Sequence, residues 1–162
     1  MRVADMMMGT PYFCRPESNL GEATELMWKG NCGFLPVVGV EGKVVGVVTD
    51  RDICIALGTR GRPSGEVTVA DVMSKEVFSC APEDDVHSAL AKMRGGRVRR
   101  LPVITTNEGT LIGVISMDDV LMSAETTGVG KAGISAEEIV NAFRAINAHR
   151  RLPMVLAKQA VA

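Results

Sequence analysis

Two short stretches of this chain place a hydroxyl and a carboxylate three residues apart, directly after a β-branched run. They are Thr49 and Asp52 in VVTDRD, and Ser116 and Asp119 in VISMDD. This pattern has two chemical uses. It can cap a helix, the hydroxyl and the carboxylate each holding a backbone N–H that the first turn leaves free. It can also bind a nucleotide, with phosphate at the helix start and the carboxylate accepting both ribose hydroxyls. The spacing is compatible with either.

A second candidate is Arg94, Arg97, Arg99 and Arg100, four arginines within seven residues and followed by Leu101-Pro102. On a strand, Arg97 and Arg99 would share one face and Arg100 would take the other. The cluster is either a charged strand edge that discourages aggregation or a set of guanidinium forks for phosphate. Catalysis finds little to work with. His87 and His149 are far apart, and no nucleophile has a base nearby. No His, Cys and Asp set has metal-ligand spacing. Asp50, Asp52, Asp118 and Asp119 could hold a divalent ion, but with no histidine or phosphate to share it they do not make a metal site. The reading is therefore a protein with no catalytic residues, no metal and no required cofactor.

The elements that position these groups occur twice. VADMM at Val3 returns as VADVM at Val69, Pro16-Glu17 as Pro82-Glu83, Met27 as Met93, and Leu35-Pro36-Val37 as Leu101-Pro102-Val103, each 66 positions later. After one extra residue near Asn107 the offset is 67, and GVVTDRD at Gly46 aligns with GVISMDD at Gly113. Two such units pack about a pseudo-twofold axis with similar clefts between them. Each unit reads as a short apolar turn, a short extended piece at Tyr12 or Val77, and a helix capped by Asn19 or Asp84-Asp85 and ended by Gly30 or Gly95-Gly96. Two strands and a second helix starting at Thr49 or Ser116 complete it. A three-stranded sheet with helices on one face cannot bury both sides alone, so the units are expected to dock sheet to sheet. The positions of Arg99 and Arg100 are held in the first unit by Gly33 and Phe34, so the clefts should differ, the more basic lying near repeat 2. The expected organisation is repeat 1 at 1–57, a Gly- and Arg-rich linker at 58–66, repeat 2 at 67–124, and a linker, C-terminal helix and tail at 125–162. Ser135 and Glu138 form a capping box for that helix. Ala136, Ile139, Val140, Phe143 and Ile146 make its apolar stripe, and Pro153 ends it before a mostly apolar tail.

Composition agrees with one soluble globular unit of 162 residues, 46% hydrophobic and 23% charged. A formal charge of −1 and 4% aromatics argue against nucleic acid, although Arg94 to Arg100 with Arg60, Arg62, Arg150 and Arg151 would be its contact. No apolar run approaches the roughly 20 residues of a membrane span. Cys14, Cys32, Cys54 and Cys80 show no CxxC spacing and read as reduced thiols. With a repeat element at the very start in place of a signal peptide, a cytoplasmic protein is expected. Cys14 and Cys80 are equivalent, which points to a small buried side chain there.

Two copies of V-A-D-x-M, P-E, a helix, L-P-V and G-h-h-[ST]-x-x-D, in this order, resemble a tandem pair of CBS domains, a Bateman module. The resemblance covers residues 1 to about 124, and the VTDRDI and VRRLPV phrasing is similar to the small hypoxia- and dormancy-associated CBS proteins of bacteria. It implies an α/β pseudo-twofold module with small three-stranded sheets, commonly a homodimer. It further implies a regulatory role in which an adenosyl ligand (AMP, ADP or ATP foremost) binds between the repeats and a protein partner reads the occupancy. By position, Thr49 and Asp52 would serve one site and Ser116 and Asp119 the other. Asp would hold the ribose and the hydroxyl the phosphate, with Arg99 and Arg100 reaching phosphates. Cys14 and Cys80 would lie where the family lines the adenine pocket with backbone and small groups. The alternative is a ligand-free stress or interaction protein in which the corners are caps only.

Overall fold

The computed structural model describes residues 1–123 and 133–148. Each repeat opens on a single 3-10 turn, Val3–Asp5 and Val69–Asp71, closed by Asp5 and Asp71, which accept from the backbone N–H of Arg2 and Thr68. Helices α1 (Leu20–Lys29) and α3 (Val86–Gly96) follow, capped by Asn19 and Asp85. Asn19 accepts from the Glu22 N–H at 3.0 Å and Asp85 from the His87 N–H at 2.9 Å. α1 ends at Gly30 as expected, but α3 runs through Gly95 and Gly96 and ends on Arg97, which is left-handed at φ 53°. Arg97 is therefore a helix cap and not a strand residue. Gly96 serves a close approach instead of the turn, since a Cβ there would fall 2.7 Å from the Phe78 ring.

Strands β1 (Phe34–Val38) and β2 (Val44–Thr49) form one antiparallel pair, and β3 (Arg100–Ile104) and β4 (Leu111–Ser116) the other. Register irregularities fall at equivalent places, Val37/Val38 and Val103/Ile104. The expected third strand is one residue wide. Cys14 bridges Val37 and Cys80 bridges Val103, both parallel. The Cys14 N–H donates to the Pro36 carbonyl at 3.1 Å, and the Val38 N–H to the Cys14 carbonyl at 2.8 Å. Lengthening this ladder would need an N–H from Pro36 in one direction and from Pro16 in the other, and proline has none. Pro102 and Pro82 impose the same limit on repeat 2.

Helices α2 (Asp50–Arg60) and α4 (Met117–Met122) complete the repeats. α2 continues three residues into the expected 58–66 linker and stops at left-handed Gly61, ahead of a 3-10 turn at Ser64–Glu66. The repeats also exchange their leading segments. Val67 and Val69 belong to the core of repeat 1, and Val3 to the core of repeat 2. Met8 and Val114 share two backbone hydrogen bonds of 2.9 and 3.0 Å, and Val47 and Ser74 share a matching pair. Gly46 and Gly113 admit these arms. A Cβ on either would lie 2.7 Å from the Met73 or Met7 sulfur and 2.9 Å from the backbone oxygen of Ser74 or Met8. Lys43 and Thr110, the residues just before β2 and β4, also pair in an isolated antiparallel bridge.

Helix α5 (Ala136–Ile146) is capped by Ser135 and Glu138 as the sequence indicates. It packs on α3 and α4, and Ile139, Ala142, Ile146 and the preceding Ile134 join the core of repeat 2. Its buried stripe is narrower than expected. Ala136 and Val140 are exposed, and Ala142 is buried in their place. One helix facing a two-helix groove buries positions three or four apart, not the wider face of a helix fully surrounded by others. Pro153, Leu152, Met154, Val155, Leu156, His149, Arg150, Arg151 and most of the second linker lie outside the described residues.

Candidate functional site

Both strand-to-helix corners close as capping boxes with nearly identical geometry. The Thr49 N–H and hydroxyl donate to Asp52 Oδ2 at 2.9 and 2.7 Å, and the Asp52 N–H donates to Thr49 Oγ1 at 3.2 Å. The corresponding distances for Ser116 and Asp119 are 2.8, 2.6 and 3.2 Å. The first three donors of α2 are all engaged within the chain. Asp50 N–H donates to the Gly33 carbonyl, Arg51 N–H to Asp50 Oδ1 at 2.8 Å, and Asp52 N–H to Thr49. A phosphate at this corner would have to displace these bonds or be held by side chains.

The side chains are at hand. A cleft of about 360 Å³ opens between the repeats. Repeat 1 contributes Gly33, Phe34, Val47, Thr49, Asp50 and Arg51, repeat 2 contributes 97–100, and α5 contributes Ile146 and Asn147. Arg99 and Arg100, expected to serve the corner of their own repeat, thus also face Thr49 of the other. The strand register explains the reach. Arg100 lies across from Ser116 at the start of β3, just as Phe34 lies across from Thr49 at the start of β1. The two starts point toward the same gap, where Gly33 and Phe34 leave space that the arginines enter. Four guanidiniums (Arg51, Arg97, Arg99, Arg100) meet one carboxylate, Asp50, so the cleft is cationic.

The pseudo-equivalent space on repeat 2, lined by Arg99, Arg100, Met117 and Asp118, measures only about 40 Å³. Phe143 of α5 lines it as well. About 40 Å³ is the room of a single water. Ser116 and Asp119 line neither space. Asp52 lines a separate recess of about 230 Å³ with Thr59, Arg60 and Asp71. Cys14 and Cys80 are 2% exposed and sit inside the two cores. Burial pushes both thiols up to about 11. Sequence reasoning weighed Asp50 only for a divalent ion and did not single out Asp50 or Arg51 for a nucleotide, nor Ile146 and Asn147. A signal for the first two existed in the D-R between Thr49 and Asp52. The approach of α5 to the cleft had none, because the cleft residues it meets, 97–100 and Thr49, lie more than forty residues away. Arg60 and Arg62 donate to the backbone carbonyls of Asp71 and Glu66.

A doubled unit with exchanged arms, an L-P-V strand and a capped strand-to-helix corner is the CBS architecture, and the family model for the CBS domain matches residues 3–59 and 69–125. The chain belongs to the CBS domain family. It is 34% identical over 140 residues to the CBS domain-containing protein YhcV of Bacillus subtilis, covering 85% of this chain and 97% of that one. Among solved structures it is similar to the CBS domain pair of protein MJ0100 in complex with 5-methylthioadenosine and S-adenosyl-L-methionine. That match has a TM-score of 0.68, 24% identity, and 75% and 94% of the two chains covered. It is likewise similar to the CBS domain protein PAE2072 of Pyrobaculum aerophilum complexed with AMP, with a TM-score of 0.66, 24% identity, and 74% and 89% covered. No helix among the described residues is long and apolar enough to cross a membrane.

Proposed function

We propose that this chain is a non-catalytic regulatory module that binds one adenine nucleotide (AMP, ADP or ATP) in the cleft between its repeats. The observation that carries this reading is the 360 Å³ cleft in which Arg97, Arg99 and Arg100 of repeat 2 face Thr49, Asp50 and Arg51 of repeat 1. A space of this size is at the lower end of small-ligand sites, and planar guanidinium forks match phosphate oxygens. The adenosyl ligands of PAE2072 and of the MJ0100 pair support the choice of nucleotide. Thr49 and Asp52 hold the corner against which the ribose would rest, while the Phe143-narrowed space by Met117 and Asp118 leaves repeat 2 without a second nucleotide. Occupancy acts through differential affinity. The ligand bridges both repeats and so favours the arrangement that brings 97–100 toward Thr49, and a protein partner reads that arrangement. A homodimer and a cytoplasmic setting belong to the same reading. The four free cysteines support the latter.

The test is calorimetric titration with AMP, ADP, ATP, NAD and S-adenosylmethionine, with Arg100→Ala alongside. Saturation at one ligand per chain is expected, with affinity about 10- to 100-fold weaker in the variant, as loss of a charge-assisted contact implies. A ligand-free interaction protein is the second reading, favoured by the fully satisfied capping boxes. It requires that no adenosyl compound gives heat.

A further inference from the structure

The capping bonds of the two strand-to-helix corners agree in length within 0.1 Å. The spaces at the first turns of α2 and α4 nevertheless measure about 360 and about 40 Å³. The residues of the repeats do not account for this difference. Arg99 and Arg100 line both spaces. Asp50 and Arg51 of repeat 1 are matched in repeat 2 by Met117 and Asp118, a pair that is no bulkier. What remains is α5, which has no counterpart in repeat 1. Its last turn stands between the two spaces, with Phe143 lining the small one and Ile146 and Asn147 lining the large one.

The chain holds Phe143 in place. Ile139, Ala142 and Ile146 recur at helical spacing and are buried in the core of repeat 2. Phe143, one turn after Ile139, flanks that stripe and is half-buried against the same core. At the start of α5, His87 Nδ1 of α3 lies 3.2 Å from Glu138 Oε1. At its end, the backbone N–H and the side-chain amide of Asn147 both donate to the Phe143 carbonyl, at 3.0 and 2.9 Å. We propose, on the nucleotide reading above, that Phe143 determines how many nucleotides the chain holds. Its ring shuts the repeat 2 space, and trimming it opens that space to a second adenine nucleotide. The second ligand would meet the same Arg99 and Arg100, but Asp118 where the first meets Arg51. It should therefore bind about 10- to 100-fold more weakly than the first, the loss of one charge-assisted contact.

The test is calorimetric titration of AMP, ADP and ATP in turn into the full chain and into Phe143→Ala, with circular dichroism and a thermal melt on each. The expected result is one nucleotide per chain in the parent and two in the variant. Phe143→Leu keeps an apolar contact and removes the ring, so it answers the same question if alanine unfolds the chain. Arg51→Ala, added to the Phe143 variant, locates the two events, because Arg51 lines the larger space and not the smaller. The tighter event should weaken about 10- to 100-fold and the weaker one stay within about twofold. One nucleotide per chain in every folded variant would overturn the proposal and leave the nucleotide reading standing, with Phe143 moving Tm alone. Two in the parent would overturn it as well, since the ring would then exclude nothing. A second event that Arg51→Ala weakens as much as the first would overturn its placement at repeat 2. No heat from any of the three nucleotides would remove the nucleotide reading and the proposal together.

Discussion

Asp119→Ala separates the structural from the ligand role of the strand-to-helix corner. Asp119 Oδ2 accepts from the Ser116 N–H at 2.8 Å and from its hydroxyl at 2.6 Å, in a part-buried setting. Alanine leaves both donors without a partner in the chain. Cap deletions of this kind cost about 1–2 kcal/mol, and in a domain of this size that lowers Tm by about 2–8 °C. Asp52→Ala removes bonds within 0.1 Å of the same lengths and should cost the same to within about 0.5 kcal/mol. If the corners are independent, the double variant should lose the sum. Thermal melts followed by circular dichroism read these values. Calorimetry on the same samples should find the affinity of Asp119→Ala for adenine nucleotide within about twofold of the parent, because Asp119 does not line the inter-repeat cleft. A melting temperature unchanged in either variant would refute the capping argument. A tenfold loss of affinity in Asp119→Ala at constant Tm would refute the assignment of the ligand to the repeat 1 side.

Gly113→Ala should destabilise by about 1–3 kcal/mol through overpacking against Met7 and the Met8 carbonyl, and Gly46→Ala by the same amount. Gly58→Ala, in α2 with open space around it, should stabilise by about 0.5–1 kcal/mol; denaturant melts check all three. Burial pushes the Cys14 and Cys80 thiols up to about 11, from 9.0 for an exposed thiol. Below pH 9 both states keep the proton. Between about 9 and 11 the unfolded chain ionises first, so stability falls as pH rises through that window and Cys→Ala variants should flatten the fall. In the native protein at pH 8, iodoacetamide should modify exposed Cys54 and spare Cys14 and Cys80. Asp84 is held below the usual carboxylate range by the Lys92 ammonium 2.7 Å away, and Asp71 and Glu138 by their capping bonds. Stability from these groups is present above about pH 4 and lost as acid drives pH through their folded values, which an acid titration of Tm reads.

Much of this molecule is determined locally and can be read without coordinates. The helix caps at Asn19, Asp85, Thr49, Ser116 and Ser135, the hairpins and the duplication follow from short-range hydrogen bonding and from a motif that recurs at a constant offset. The width of the third strand was in principle legible too, because Pro16 and Pro36 each remove a donor, but only once their pairing with Cys14 is known. What the tertiary structure alone decided are relations between residues far apart in sequence. Val3 and Val69 each enter the other repeat's core, because the glycines that admit the arms carry no record of which methionine will fill them. Arg97 to Arg100 face Thr49 because two strand starts converge on one gap. Phe143 narrows one of two equivalent spaces, and α5 fills one of two equivalent grooves. Duplication in sequence makes the halves equal, and a single unpaired helix packed on one of them makes the two sites different.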